Sequence, residues 1–185
     1  MNKEKLDIYH NLTSKDVLSS NFCFAGFFIA TYEAIKNNIC ENIKNLYCVD
    51  SLYIRDGRIF SENNDDYKNE ILNIKPDGKK NNTFFSSMLW LIESGAIDRA
   101  YYEFVTLTVV SKRNMYAHHS LELLCEKVSQ SDCEILKRFL LIYRKINQWW
   151  GIEIEGNPEY EENCFVTLLV QTYNNLFGEI DEIQI

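Results

Sequence analysis

Glycine and proline are scarce, at seven and two of 185 residues. So few chain breakers leave little room for the many tight turns of an all-β fold and favour long regular elements, helices first. A basic surplus is also missing. With 19 Lys and Arg against 27 Asp and Glu, the formal charge is −8. That opposes a general nucleic-acid coat, which usually needs a basic stripe to meet phosphates, but leaves room for a small basic pocket holding one phosphate. No apolar run reaches the roughly 18 residues of a membrane span, and the opening MNKEKLDIYHNLTSKD has no apolar signal core. The six cysteines (Cys23, Cys40, Cys48, Cys125, Cys133, Cys164) form no C-x-x-C pair and have no histidine at metal-ligand spacing. Nor is there a nucleotide-binding glycine run. The expectation is a reduced, cytoplasmic chain with no membrane attachment, metal or cofactor.

What is present is helical pattern. The length suits a single domain, 1–185, able to bury a core without staples. Over residues 16–48 the apolar positions Leu18, Phe22, Ala25, Ile29, Tyr32, Ile35, Ile39, Ile43 and Leu46 recur in steps of three and four. That predicts one long amphipathic helix, capped by Ser14 or Asp16 and open to a bend at Gly26. Residues 50–82 break the pattern. LYIRDGRIF sets Asp56-Gly57 between two short alternating arms, the strongest hairpin signal in the chain, with polar turn material around it. Arg55, Arg58, Lys79 and Lys80 in this segment could touch RNA, although a solvated loop is the simpler reading.

After residue 82 the helical spacing resumes. Thr83 caps a helix that Gly95 ends, and Asp98 opens DRAYYEFVTLTVVSKRNMYAHH, with Tyr101, Val105, Thr108 and Lys112 along one line and Tyr102, Val109 and Tyr116 along the next. The β-branched run VTLTVV would suit a strand, but it is short and lies inside a longer helical pattern. Ser131 or Asp132 starts a further helix carrying Ile135, Phe139, Ile142, Ile146 and Trp149, and Pro158 stands at the first turn of a last one. The expected fold is all-α: a compact bundle of four to five helices with an irregular or hairpin insertion at about 50–82.

Two of the three histidines are adjacent, in SKRNMYAHHS at 111–120. Arginine is permanently cationic and its planar fork matches phosphate oxygens. Histidine both gives and takes protons near neutrality. Asparagine offers a donor and an acceptor that can steady either partner. Together such groups can cleave RNA: histidine handles the proton of the 2′-OH or of the leaving 5′-oxygen, while arginine steadies the charge on phosphorus. Geometry complicates this. On a straight helix Arg113 and His118 lie about 140° apart, whereas Asn114 and His118, at i and i+4, share a face. Convergence therefore requires a kink, a helix end between them, or a second copy of the chain. A polar helix end with surface histidines is the plainer alternative.

Arg113-Asn114-Met115-Tyr116-Ala117-His118 resembles the signature of the HEPN superfamily: an arginine, a following polar residue, and a histidine after four to six intervening positions. The helical pattern from about residue 16 to 177 fits that family as well. The resemblance implies a helical bundle that forms a homodimer with the motifs facing each other, and metal-independent endoribonuclease activity on an RNA substrate. It further implies a role as a toxin or abortive-infection effector in antiviral defence, with an antitoxin or regulatory partner protein. It makes Arg113 the phosphate-binding arginine, Asn114 the polar residue beside it and His118 the catalytic histidine. His119 also satisfies the spacing and stays a rival or helper. One branch of the family continues His-x-Tyr, the tyrosine being modified by a partner nucleotidyltransferase; Ser120 stands there instead. The alternative is a catalytically silent module of the same kind that binds RNA, nucleotide or protein, or serves only to dimerise.

Lesser candidates are Glu33 and Glu103 as accessory carboxylates, or simply solvated helix faces. Trp149-Trp150 could form a base-stacking pair, with core packing the simpler reading. His10 lies in the polar N-terminal segment and is read as incidental.

Overall fold

The computed structural model describes residues 14–76, 82–119 and 128–178. His10, Lys79, Lys80, Ser120 and Cys125 lie outside them. The architecture is all-α, with six helices and one two-stranded sheet among the described residues. The helices are α1 (Lys15–Tyr47), α2 (65–72), α3 (Thr83–Glu93), α4 (99–118), α5 (Gln130–Trp149) and α6 (Cys164–Phe177), with β1 (Leu52–Arg55) and β2 (Arg58–Ser61) after α1. The short α2 falls inside the segment read as irregular. Asn64 caps it by accepting from the Tyr67 N–H at 2.8 Å. The chain groups into two compact units, residues 33–102 and the remainder.

The 33–102 unit takes the second half of α1. Ile35, Ile39 and Ile43 are buried together with Tyr67 and Ile71 of α2 and Phe84, Met88 and Leu91 of α3. Trp90 donates its indole N–H to the Tyr47 hydroxyl at 2.8 Å, giving the polar end of each half-sunk aromatic a partner. Asn82, not Thr83, caps α3: its Oδ1 accepts from the N–H groups of Phe84 and Phe85 at 3.1 and 3.3 Å. Asn is the stronger cap where both residues are on offer. Gly95 ends the helix at φ +80°, as its lack of a Cβ allows.

The other unit holds the start of α1, α4 from Glu103 onward, α5 and α6. Helix α1 runs unbroken through Gly26, so the expected bend has no break in hydrogen bonding behind it. Ser14 meets the Val17 N–H at 3.4 Å, as one of the two expected caps would. Its buried row differs from the expected one: Phe24 and Phe28 are buried, while Phe22 is 50% exposed. The run FCFAGFF offers aromatics in almost every direction, so periodicity alone left the face undetermined. Tyr116 of α4 meets Phe24 and Phe28 edge to face, at 5.8 and 5.3 Å between centroids.

Helix α4 is not regular throughout. Its middle, Phe104–Val109, widens into a π-helical stretch between α-helical ends Arg99–Glu103 and Val110–His118. That stretch covers all but the last residue of the β-branched run VTLTVV, whose side chains crowd an ordinary helical turn. Helix α5 is capped by Ser129 in a reciprocal capping box with Asp132, two residues before the expected start. It continues into a π-helical turn, Trp150–Ile154. Asn163 caps α6, so Pro158 lies in the connecting turn and not in the helix. Asn163 also donates to Asn147 Oδ1 at 2.8 Å, which ties the start of α6 to α5.

Candidate functional site

The motif occupies the last α-helical segment of α4 and ends with it. His118 is the final helical residue; His119 leaves the helix at φ −118° and ψ 51°, its N–H donating to the Met115 carbonyl at 2.9 Å. No break falls between Arg113 and His118, so two of the ways of bringing them together, a kink or an intervening helix end, do not occur. Burial orients the helix. Tyr116 is 4% exposed and marks the inward face. Ser111, Asn114 and His118, at i, i+3 and i+7, form a stripe exposed to solvent, and His119 beyond it is exposed as well. Arg113 is half-buried on the flank between the two.

Arg113 is held from two sides. Its Nη1 donates to Asn114 Oδ1 at 3.1 Å. Its guanidinium carbon lies 5.7 Å from the centre of the Tyr32 ring, within cation–π range. Tyr32, at the inner end of this unit's share of α1, is in turn 6.2 Å from Phe139 of α5. The fork thus rests on an aromatic platform built from two other helices, and Asn114 links it to the stripe bearing His118. Of the four sequence candidates, the structure joins Arg113 and Asn114 directly and sets Asn114 and His118 on one face. It does not bring Arg113 and His118 onto a common face of one chain.

The pairing of Lys112 with Asp132 could not have been read from the motif. Lys112 Nζ lies 2.5 Å from Asp132 Oδ1, and the two side chains are 32% and 9% exposed. Asp132 also accepts from the Ser129 N–H at 3.0 Å and from its hydroxyl at 2.7 Å. Burial works to raise this carboxyl, but the hydrogen bonds from Lys112 and Ser129 outweigh it and hold the group below its ordinary 3.8. Burial first, and then the Asp132 charge, push the Tyr116 phenol well above its usual range. One carboxylate therefore starts α5 and fixes the roll of α4, so that Tyr116 stays inward and the stripe outward. The sequence signal was only a lysine beside the motif and an aspartate at a helix start.

Glu33 pairs with Lys36 at 2.8 Å along its own helix. Glu103 is exposed on α4. Trp149 and Trp150 are half-buried and meet edge to face at 6.3 Å, packed against each other rather than splayed for a base. Among the described residues no helix is long and apolar enough to cross a membrane. Searches of protein-family models, curated proteins and solved structures find no match to the chain.

Proposed function

We propose that the chain is a metal-independent endoribonuclease whose site is assembled from the motif segments of two copies. One observation carries this reading. A helix end presents Asn114 and His118 on one exposed stripe, with Arg113 hydrogen-bonded to Asn114 alongside. Two such ends facing each other would give each histidine an arginine across a two-fold axis, although about 140° separates them on one straight helix.

In the proposed reaction the 2′-oxygen of one nucleotide attacks its own 3′-phosphorus and the 5′-oxygen of the next nucleotide leaves. The products are a 2′,3′-cyclic phosphate and a 5′-hydroxyl. His118 handles the proton, taken from the 2′-OH or given to the leaving oxygen. Arg113 binds the non-bridging oxygens as negative charge grows on them, and Asn114 keeps its fork in place. DNA, lacking the nucleophile, is not cut. The resemblance to HEPN proteins supports the same roles and suggests a toxin or antiviral abortive-infection effector, held in check by an antitoxin or regulatory partner.

The test is cleavage of a mixed RNA pool in EDTA by wild type, Arg113→Ala, His118→Ala and His119→Ala. Wild-type cleavage that Arg113→Ala and His118→Ala abolish supports the reading, and His119→Ala separates helper from rival. A wild type inert on every RNA points to a silent binding module. Activity that disappears with EDTA keeps an enzyme but discards this mechanism.

A further inference from the structure

The hairpin of β1 and β2 is built without a core. Asp56 and Gly57 form its two-residue turn with φ of 51° and 73°, the left-handed pair that matches the twist of antiparallel strands. Residues 52–60 are all exposed. An isolated two-stranded hairpin is marginal in water, so its cross-strand pairs must do the holding. Register sets Tyr53 opposite Phe60 and Arg55 opposite Arg58. Alternation places these four side chains on one face, with Leu52, Ile54 and Ile59 on the other.

That first face has a specific chemistry. Tyr53 and Phe60 stack at 5.7 Å between centroids with only 21° between their planes. They stay 44% and 41% exposed. The next pair along the strands is two arginines. Like charges directly opposite each other weaken a hairpin, and the Arg55–Asp56 contact at 3.9 Å joins groups 77% and 92% exposed, too wet to offset it. In a chain of net charge −8, two facing arginines beside an exposed aromatic stack complement a ligand with flat rings and regularly spaced negative charge. Single-stranded nucleic acid has both: bases stack on aromatic side chains, and phosphates meet arginines a strand position away.

We infer that the Tyr53–Phe60 and Arg55–Arg58 face of the hairpin is a binding platform for single-stranded RNA. The inference rests on reading the chain as one that acts on RNA. It adds that the substrate is unpaired at the segment this face engages, since a base within a duplex has no free ring face to offer. Rings and phosphates are recognised here without regard to base identity, so the platform is sequence-tolerant.

Fluorescence anisotropy of a labelled oligouridine of about 12 nucleotides tests this in full-length His118→Ala protein, which leaves the probe intact. Tyr53→Val with Phe60→Val keeps strand-forming side chains but removes the rings, and is expected to weaken binding about tenfold or more. Arg55→Gln with Arg58→Gln keeps the rings and is expected to lower the salt slope of binding by about 1.4, two phosphates' worth for a single strand. Ile54→Ser with Ile59→Ser, on the opposite face, is expected to leave affinity unchanged, and duplex RNA to compete poorly. Equal affinity of wild type and both platform variants overturns the inference, as does loss of binding only in the Ile54/Ile59 variant. Ring variants that dissociate a protein complex while binding RNA normally overturn it in favour of protein docking. Cleavage and binding fail separately: RNA cut normally by the platform variants, with unchanged affinity, removes the platform alone. Platform-dependent binding by a chain that cuts no RNA removes the nuclease alone.

Discussion

Lys112 of the motif helix and Asp132 of the next helix form an ion pair at 2.5 Å, and the aspartate is at the same time half of the capping box that begins its own helix. The orientation of the exposed stripe and the start of α5 therefore depend on one carboxylate. Asp132→Ala should cost about 2 kcal/mol or more, from the lost cap and the lost charged hydrogen bonds together. Lys112→Met, which leaves the Ser129 bonds in place, should cost less. Urea denaturation of the two variants checks the order.

The same carboxylate sets an acid limit. Its folded-state pKa lies below the unfolded value of 3.8, so its contribution is complete above that value and is lost as pH falls through the lower, folded one. Wild type should lose stability below about pH 4 more steeply than Asp132→Asn does. Tyr116 contributes to the alkaline limit with the opposite sense, beside the buried phenols of Tyr67, Tyr143 and Tyr173, which are raised as well. Its phenol is raised above 10 in the fold, so stability present below pH 10 is lost as pH climbs past it. Tyr116→Phe should make the alkaline limb shallower and change little at neutral pH. Thermal melts across the pH range decide both.

Two variants that are each inactive should restore one another. In a site shared across a two-fold axis, mixing Arg113→Ala with His118→Ala protein yields heterodimers with one intact arginine–histidine pair. Mixed and re-equilibrated samples should regain up to about a quarter of wild-type cleavage, given random pairing of copies. A mixture as inactive as its parts would place both residues within one chain and remove the composite site.

Replacing the ring beneath Arg113 should weaken catalysis without unfolding the chain. Tyr32→Leu keeps apolar bulk and loses the cation–π contact, worth about 0.5–2 kcal/mol. RNA cleavage should fall by roughly two- to thirtyfold at a temperature where the variant is still folded, with the melting temperature lowered by the lost packing of a buried ring. A full-strength variant would show that Asn114 alone is enough to hold the fork.

Gly151 is a packing requirement. A Cβ there would sit 2.1 Å from Cδ2 of the Tyr160 ring. Gly151→Ala should destabilise by about 1–3 kcal/mol, as overpacking does. Tyr160→Leu in the same chain should recover part of that, measured as a double-mutant cycle.

Local chemistry was the legible part. The Asp56-Gly57 turn was readable because its geometry demands left-handed residues at both positions. The long first helix was readable because its spacing holds over many turns. Cap positions slipped by one or more residues wherever several capping side chains stood in a row, as at Asn82-Thr83 and Ser129-Gln130-Ser131-Asp132. Pro158, whose fixed φ suits a helical first turn, belongs to the turn before the helix. For the candidate site, Arg113, Asn114 and the two histidines could be named from their order in the chain. Tyr32 and Asp132 could not, because what joins them to α4 is contact between distant elements, and neither contact leaves a periodic trace.

The π-helical stretch at Phe104–Val109 acts as a phase offset for everything beyond it. Each wide turn takes up one residue more than an α-helical turn, and a helix advances about 100° per residue. Closing the stretch into ordinary turns with every residue kept would rotate the whole motif by about a quarter turn, whereas deleting one residue there, such as Thr106, would close it and leave the motif's bearing nearly unchanged. In the first case Tyr116 would swing off the Phe24–Phe28 cluster, and the histidine would point along a new bearing. The motif's composition is written at 113–119, but its aim is set several residues upstream.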